Sequence, residues 1–190
     1  MVRPVRISAV TLPRIAAYAR SGRVVVFDTE TTGCARDDEI CQIAAAEYVA
    51  GLPTRTFSVY VRPTCEMNPC AEAIHGLSMD FLSLHGLAPE EAMRRFFAFL
   101  GDDALLVAHN SRFDLGMVDH MCTKFGLEFA PRGIETCDTL ALARRLRPGL
   151  DSYRLVHLIS ALGVRGTNSH DALDDTLACA GLFFRLLEGT

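Results

Sequence analysis

Two short apolar runs, each ending in polar residues, predict strands buried in the middle of a sheet. Residues 24–27 are continuously apolar and end at Asp28, and residues 105–108 are followed by the sequence HNSRFD. Uninterrupted apolar runs of this length are typical of strands covered on both faces by helices. Residues 39–49 and 55–61 flank turn-forming residues at 51–53, which predicts an antiparallel hairpin beside them.

Apolar residues three and four positions apart predict helices over much of the remaining chain. Pro89 suits the first turn of one helix, and Ser111 is the expected cap of another that stops at Gly126. Residues 63–88, which prolines and glycines interrupt, are expected to form a loop with short helical turns. Strands come first and helices dominate the second half, so an α/β fold with a mixed central sheet flanked by helices is predicted. The predicted helices are 89–100, 111–124, 139–146, 152–162 and 171–187.

Length and composition favour one intracellular domain. The 190 residues are 49% hydrophobic and 22% charged, which excludes a disordered chain and a coiled coil. A single domain over 1–190, with its core at 23–187, is therefore expected. No apolar run approaches the roughly 20 residues needed to cross a bilayer. The odd number of cysteines, seven, without a CxxC pair or a secretory signal, favours free thiols in the cytoplasm, or in the nucleus of a eukaryote.

The charge distribution is uneven. The net charge of −4 argues against binding nucleic acid by bulk electrostatics. Residues 1–27 carry five arginines and no acid, which leaves 14 basic and 23 acidic side chains in the remainder. An acid-free, arginine-rich start also occurs in transit peptides, but Pro4, Pro13 and the strand that follows favour part of the folded domain. The excess acids of the remainder must therefore be accommodated elsewhere.

Carboxylates follow both buried strands. Asp28 and Glu30 are two residues apart, so in an extended chain their side chains point to the same face and can share a cation. Asp114 falls in the first turn of the helix after the second strand, and ligand sites of parallel strands lie at such ends. The two strand ends together therefore predict a candidate metal site.

The segment HDALDD at 170–175 begins the last predicted helix. On a continuous helix, residues five apart differ by about 140°, so His170 and Asp175 could meet only if His170 precedes the helix. Asp171 as the N-cap would allow this. Spacing alone does not choose between Asp174 and Asp175 as the carboxylate of the site.

Three motifs in this order resemble the DnaQ-like 3′–5′ exonucleases of the DEDDh class, which include the proofreading epsilon subunit of bacterial replicases and the TREX-type nucleases. The motifs are VVFDTETTG, AHNSRFD and HDALDD, and the segments IHGLS and CDTLALARRLRPGL are similar to the epsilon-type enzymes. The resemblance spans 23–187 and implies a ribonuclease H-like fold. It also selects Asp175 over Asp174.

The resemblance implies a metal-dependent 3′–5′ exonuclease that releases nucleoside 5′-monophosphates from the 3′ end of single-stranded or frayed DNA. Two Mg²⁺ or Mn²⁺ ions would be held by four carboxylates, with Asp28 bridging both ions and His170 acting as general base. The implied catalytic set is Asp28, Glu30, Asp114, His170 and Asp175. An RNA-directed exonuclease and an inactive nucleic-acid-binding relative are the alternatives. A monomer is slightly favoured over a homodimer.

Further residues are implied at the substrate. Ile74, His75 and Gly76 resemble the segment that lies against the terminal nucleotide, and the backbone at Thr31 resembles the part that meets the 3′ hydroxyl. Asn110 is grouped with them, but it is expected to orient the backbone of the second motif rather than the substrate. At least half of four further arginines are expected on a solvated helix face, although any of them could contact phosphates. These are Arg112, Arg144, Arg145 and Arg147.

A zinc-binding module built on Cys65, Cys70 and His75 is a rival reading from a different class. The three residues are five positions apart, whereas zinc sites usually space their cysteines two to four apart and need a fourth ligand. The spacing therefore argues against zinc.

Overall fold

A computed structural model describes residues 10–35, 37–129 and 133–189, and in these ranges the fold is a mixed five-stranded sheet between helices. The first three strands form an antiparallel meander, and the last two run parallel to the first. The strand order is β3-β2-β1-β4-β5. The predicted α/β fold class is therefore confirmed. The strands are β1 (Arg23–Thr31), β2 (Ile40–Val49), β3 (Leu52–Tyr60), β4 (Leu105–Ala108) and β5 (Glu135–Asp138).

The helices cover both faces of this sheet. Alternation along β1 sends Val25 and Phe27 into a core with the fourth and fifth helices, and Val24 and Val26 into a second core with the first and the last three. Residues 24–27 of β1 are at most 1% exposed, which explains the continuous apolar sequence of this stretch. The helices are α1 (Leu12–Ser21), α2 (Pro69–His75), α3 (Met79–His85), α4 (Pro89–Leu100), α5 (Ser111–Phe125), α6 (Thr139–Leu146), α7 (Leu155–Ala161) and α8 (Ala172–Leu187).

Several predicted boundaries are confirmed. The β2–β3 hairpin forms, α4 begins at Pro89, and Asp171 caps α8 by accepting hydrogen bonds from the N–H groups of Leu173 and Asp174. The loop 63–88 contains two helices of seven residues, each with a polar side chain accepting a hydrogen bond at its N-terminus. Local turn and capping chemistry therefore placed these elements correctly.

Four details differ from the prediction. Helix α1, with Pro13 in its first turn, precedes β1, and the short strand β5 pairs with β4; neither had been predicted. Ser111 is the first residue of α5 rather than its cap, because Asn110 takes the capping position with a left-handed φ of 64°. Helix α7 begins at Leu155 rather than at 152.

Residues 1–9, the first part of the arginine-rich start, lie outside the described residues. Among the residues that are described, no helix is both long and apolar enough to span a membrane.

Candidate active site

The end of β1 supplies two carboxylates to one face of the sheet. Asp28 and Glu30 continue the even-numbered series of Val24 and Val26, so they point toward the layer that contains α8. Glu30 lies opposite Gln42 of β2, and the register shifts immediately after it. The two acids thus stand side by side where the regular ladder ends.

Helix α8 brings Asp175 against them. Asp175 is 5% exposed, and its carboxylate accepts a 3.0 Å hydrogen bond from the N–H of Ser169 and another from the amide of Asn168. The helix is fixed to the sheet through its cap, because Gln42 Nε2 donates to Asp171 Oδ2 at 2.9 Å. Residues 168–172 and β2 therefore hold the first turn of α8 beside the end of β1.

His170 precedes α8 and shares its site with two acids. Its φ of 58° is left-handed, a conformation that is uncommon for a residue other than glycine. One ligand atom from each of Glu30, His170 and Asp175 lies within 4.8 Å of the other two. Asp174, by contrast, accepts a hydrogen bond from Ser169 Oγ at 2.8 Å and is exposed. Of the two neighbouring acids, Asp175 is thus the one in the cluster.

Asp114 lies deeper than the other acids. It is in the first turn of α5, directly after β4, and its Oδ1 accepts a 2.8 Å hydrogen bond from the Thr29 hydroxyl. Its negative charge is the second cause, after burial, of the raised pKa of Asp28, so the two acids are close. Asp28, Glu30 and Asp175 line an open cleft, whereas Asp114 is buried behind Thr29.

All four carboxyl groups have raised pKa values. Burial is the first cause in each case, and the charges of neighbouring acids add to it for Asp28 and Glu30. The pKa of Glu30 rises to about 8 and that of Asp114 to about 7, while that of Asp28 is well above its usual range. None of the described lysines or arginines forms an ion pair with these acids. Clustered oxygen ligands without an internal cation fit Mg²⁺ or Mn²⁺.

The main cleft, which has a volume of about 760 Å³, extends from these acids to a second wall. That wall is formed by residues 151–156 and Arg144 of α6. His109 joins the two walls, because its Nε2 donates to the Tyr153 carbonyl at 3.0 Å and its Nδ1 lies 2.9 Å from the Thr139 hydroxyl. Sequence reasoning missed His109 and Tyr153; the polar run HNSR after β4 was the available signal for His109.

A side pocket of about 330 Å³ adjoins the main cleft at Thr29 and Glu30. Thr31, Ile74 and His75 line this pocket. His75 Nδ1 accepts a hydrogen bond from the Leu77 N–H, so Nε2 carries the proton and donates to the Thr31 carbonyl at 3.2 Å. Burial lowers the pKa of His75, which favours this neutral form.

Two predicted substrate residues lie apart from the side pocket. Gly76 ends α2 in a left-handed conformation, with a φ of 73°, and its N–H donates to the Glu72 carbonyl. Asn110 lines the main cleft, and its N–H donates to Asp138 Oδ1 at 2.9 Å. The five predicted substrate residues are therefore distributed over two neighbouring cavities and one helix end.

The three candidate zinc ligands, Cys65, Cys70 and His75, do not form a common site. Cys70 is exposed, Cys65 Sγ lies 3.3 Å from the Thr32 hydroxyl, and His75 faces the Thr31 carbonyl. Among the described residues, the group of three or more metal-ligating side chains that does gather is Glu30, His170 and Asp175. The zinc reading therefore has no geometric support.

Comparison with known proteins agrees with this geometry. An exonuclease family model, RNase_T, matches residues 25–183. The chain is 34% identical over 168 residues to the 3′-5′ exonuclease DinG of Bacillus subtilis, covering 87% of this chain and 18% of DinG. It is 32% identical over 168 residues to the PolC-type DNA polymerase III of Caldanaerobacter subterraneus, covering 88% of this chain and 12% of the polymerase. The chain thus spans less than a fifth of the length of these curated relatives.

Solved structures show the same fold. Exonuclease X in complex with 5′ overhanging duplex DNA superposes with a TM-score of 0.71 at 26% identity, covering 88% of this chain and 92% of that one. E. coli exonuclease I in complex with a dT13 oligonucleotide superposes with a TM-score of 0.78 at 22% identity, covering 88% of this chain and 41% of that one. The resemblance carried by the three motifs is confirmed, and the chain belongs to the exonuclease family within the DnaQ-like superfamily.

Proposed function

We propose that the protein is a 3′–5′ exonuclease that removes nucleoside 5′-monophosphates from the 3′ end of DNA. One observation carries the proposal: ligand atoms of Glu30, His170 and Asp175 gather within 4.8 Å at the end of β1, where Asp28 lines the same cleft. Buried acids repel one another and lose protons reluctantly, so such a cluster is best explained by cations that neutralise it.

The carboxylates of Asp28, Glu30, Asp114 and Asp175 would hold two divalent cations, Mg²⁺ or Mn²⁺. When bound, such a pair of ions favours ionisation of water and stabilises the charge that develops on phosphate oxygens and on the leaving oxygen. The Thr29 hydroxyl orients Asp114, and the Ser169 N–H and the Asn168 amide orient Asp175. The chain itself thus positions these ligands from both faces of β1.

His170 is the proposed general base. A neutral imidazole can take the proton of the attacking water as the new O–P bond forms. The bond from phosphorus to the 3′ oxygen of the preceding nucleotide then breaks, and that oxygen takes a proton from solvent water and leaves as a hydroxyl, while His170 returns its proton to the solvent. His170 is exposed at the cleft and close to Glu30 and Asp175, which suits contact with water.

The two cavities suggest how the strand is placed. The terminal nucleotide would occupy the side pocket beside Thr31, Ile74 and His75, with Glu30 at its boundary. The rest of the strand would then leave through the main cleft past Asn110. The phosphate to be cut would lie where the cavities meet.

DNA is the proposed substrate, and RNA is the alternative. The relatives and solved structures support DNA, because they include DNA polymerases and complexes with DNA. A monomeric state and an intracellular location are expected with this activity and stay predictions.

Matched DNA and RNA oligonucleotides, labelled at either end, test the proposal. With Mg²⁺ or Mn²⁺, we expect a 3′ label on DNA to be released as a mononucleotide and a 5′ label to give a descending ladder, with no cleavage after EDTA treatment. Faster cleavage of RNA would favour the alternative substrate. Binding without metal-dependent cleavage of either polymer would indicate an inactive relative.

A further inference from the structure

We propose that Arg144 binds a backbone phosphate of the DNA strand on the 5′ side of the bond that is cut. This inference rests on the proposed function, and it adds a subsite to the main cleft. Arg144 would set how tightly a strand is held, while the acids at the end of β1 perform the chemistry.

Two arginines of the described residues, Arg144 and Arg154, line the main cleft, and Arg144 is the one whose guanidinium lies over an aromatic ring. Among the four arginines that sequence reasoning left open, it lines the main cleft with Asp28, Glu30 and Asp175. Arg147 lines a different cavity beside Arg185, and its guanidinium donates to the Leu146 carbonyl. The remaining two, Arg112 and Arg145, are absent from the described lining of either cleft or pocket at the site.

Within the part of the chain that the structure describes, no carboxylate forms an ion pair with Arg144. This is unusual in a cleft whose opposite wall carries three acids. An exposed guanidinium left without an acid can serve an anionic ligand, and its fork of N–H donors suits a phosphate.

Neighbouring side chains also hold the guanidinium of Arg144 in position. Its guanidinium lies 5.7 Å from the centre of the Tyr153 ring, within range of a cation–π contact. Tyr153 is held at both ends, because its hydroxyl donates to the Arg147 carbonyl at 2.9 Å and its own carbonyl accepts from His109. His109, in the second motif directly after β4, thus holds Tyr153 by a hydrogen bond, and the Tyr153 ring in turn holds the guanidinium of Arg144.

The second wall carries Arg144 and Arg154 beside Asp151, whereas the first carries Asp28, Glu30 and Asp175, and this difference suggests a division of labour. Cations held by the acids would neutralise the phosphate being cut, but the neighbouring phosphates of the strand lie beyond those ions. A fixed arginine across the cleft supplies a positive charge for one of them. Such a contact is independent of sequence, as degradation of any DNA end requires.

Arg144→Ala and the matched variant Arg145→Ala test the proposal, since both side chains are exposed and neighbours on α6. With a single-stranded oligonucleotide, we expect Arg144→Ala to raise KM about tenfold or more, with kcat changed only a few-fold. The slope of log KM against log salt should fall by about 0.7, the value for one lost phosphate contact on a single strand. Arg145→Ala should leave both quantities unchanged.

A substrate with one phosphate separates this inference from the proposed function. On the p-nitrophenyl ester of thymidine 5′-monophosphate, we expect Arg144→Ala to match the parent. Loss of activity on this ester and on the oligonucleotide alike would overturn the subsite. If the parent protein cut neither substrate, the proposed function would fail. The binding of a labelled oligonucleotide in the presence of Ca²⁺, measured by fluorescence anisotropy, would still test Arg144. Equal Kd values and salt slopes for the parent and the two variants would overturn the phosphate subsite.

Tyr153 provides a second check on positioning. Tyr153→Phe keeps the ring under Arg144, whereas Tyr153→Leu removes it. We expect only Tyr153→Leu to reproduce part of the rise in KM, with kcat on the one-phosphate ester unchanged. Equal KM values for Tyr153→Leu and Tyr153→Phe would show that the Tyr153 ring does not position Arg144.

Discussion

Two acids on the β1–β2 pair, Glu47 and Glu30, have opposite electrostatics. Glu47 lies opposite Val25, three residues before Asp28, and its pKa is lowered to about 2 by hydrogen bonds from Arg55 first, with Thr54 and Arg23 adding to them against the effect of burial. Glu30 has a pKa raised to about 8, because it is partly buried and the charges that act on it come from acids. The same strands therefore carry one acid with its own cations and one without.

This difference separates structural acids from candidate catalytic acids. Glu47 accepts from Arg55 through both of its oxygens and from Arg23 Nε at 2.7 Å. Glu39 is also a structural acid with a cation of its own. Burial raises its pKa, but the hydrogen bonds from Lys124 and Thr64 outweigh that effect, so the pKa lies below its usual value. An acid whose cation must come from solution destabilises the metal-free fold, and such a cost is expected at functional sites.

The largest expected effect is that of Asp28→Ala on hydrolysis. Cations at such sites supply several kcal/mol of transition-state stabilisation, so losing their shared ligand should reduce cleavage by about 10³-fold or more. The free energy of unfolding without metal should stay the same or rise, because one of several repelling charges is removed. Activity assays and thermal melts in EDTA measure both. Clear destabilisation of the metal-free protein would identify Asp28 as a structural acid like Glu47.

The next effect concerns His170. Replacing it with Asn keeps a residue that tolerates the left-handed φ of this position and removes the imidazole. We expect kcat to fall by about 10² to 10⁴, the usual contribution of a positioned base, with Mn²⁺ affinity near that of the parent. His170→Ala should behave likewise and melt slightly lower. Turnover within a few-fold of the parent in both variants would reduce His170 to a residue that only shapes the start of α8.

Sequence reasoning located the carboxylates because their placement is local. A buried strand fixes the face of Asp28 and Glu30, and an N-cap fixes where α8 begins. It missed β5, whose sequence ETCD has no strand pattern of its own and forms a strand through its pairing with β4. Tertiary contacts override weak local preference in such cases.

The residues that form the second wall of the main cleft could not be predicted from the sequence pattern either. Tyr153 reaches the site because its carbonyl accepts from His109, a residue 44 positions earlier. Likewise, the depth of Asp114 depends on its hydrogen bond to Thr29, 85 positions earlier. Spacing along the chain carries no information on such contacts between distant segments.

A smaller effect is expected for Glu47→Ala. The Glu47 side chain is 10% exposed, but those of its partners Arg23 and Arg55 are 22% and 48% exposed. Losing these charge-assisted hydrogen bonds should therefore cost about 2 kcal/mol of unfolding free energy, less than for a fully buried ion pair. Arg23 and Arg55 both also donate to the Phe99 carbonyl, so the fold should survive. Urea denaturation measures the loss, and kcat at a temperature where the variant is folded should equal that of the parent. A large fall in kcat would mean that the two acid sites are not independent.

The smallest effect is on how the stability of the metal-free protein depends on pH. Glu47 has a folded pKa of about 2 against an ordinary value of 4.5, so its stabilisation is complete above pH 4.5 and is lost as the pH falls toward 2. Glu30 behaves in the opposite sense. Its folded pKa of about 8 lies above the same ordinary value, so the fold is progressively penalised as the pH rises from 4.5 to 8.

Together the two acids place the stability maximum of the EDTA-treated protein near pH 4.5 to 5, as far as these groups determine it. Thermal melts from pH 3 to 9 would measure this, with Glu30→Gln expected to flatten the alkaline side and Glu47→Gln the acidic side. The charges that raise the pKa of Glu30 come from Asp175, Asp114 and Asp171, and the imidazole of His170 also lies within 4.8 Å of it. Mg²⁺ should therefore stabilise the protein increasingly as the pH rises and these carboxylates ionise. Two results together would contradict this: a parent protein that gains stability from pH 5 to 8 without metal, and a Glu30→Gln variant with the same pH profile. They would show that a cation within the chain neutralises Glu30, as Arg55 and Arg23 neutralise Glu47. The two acid sites would then not differ.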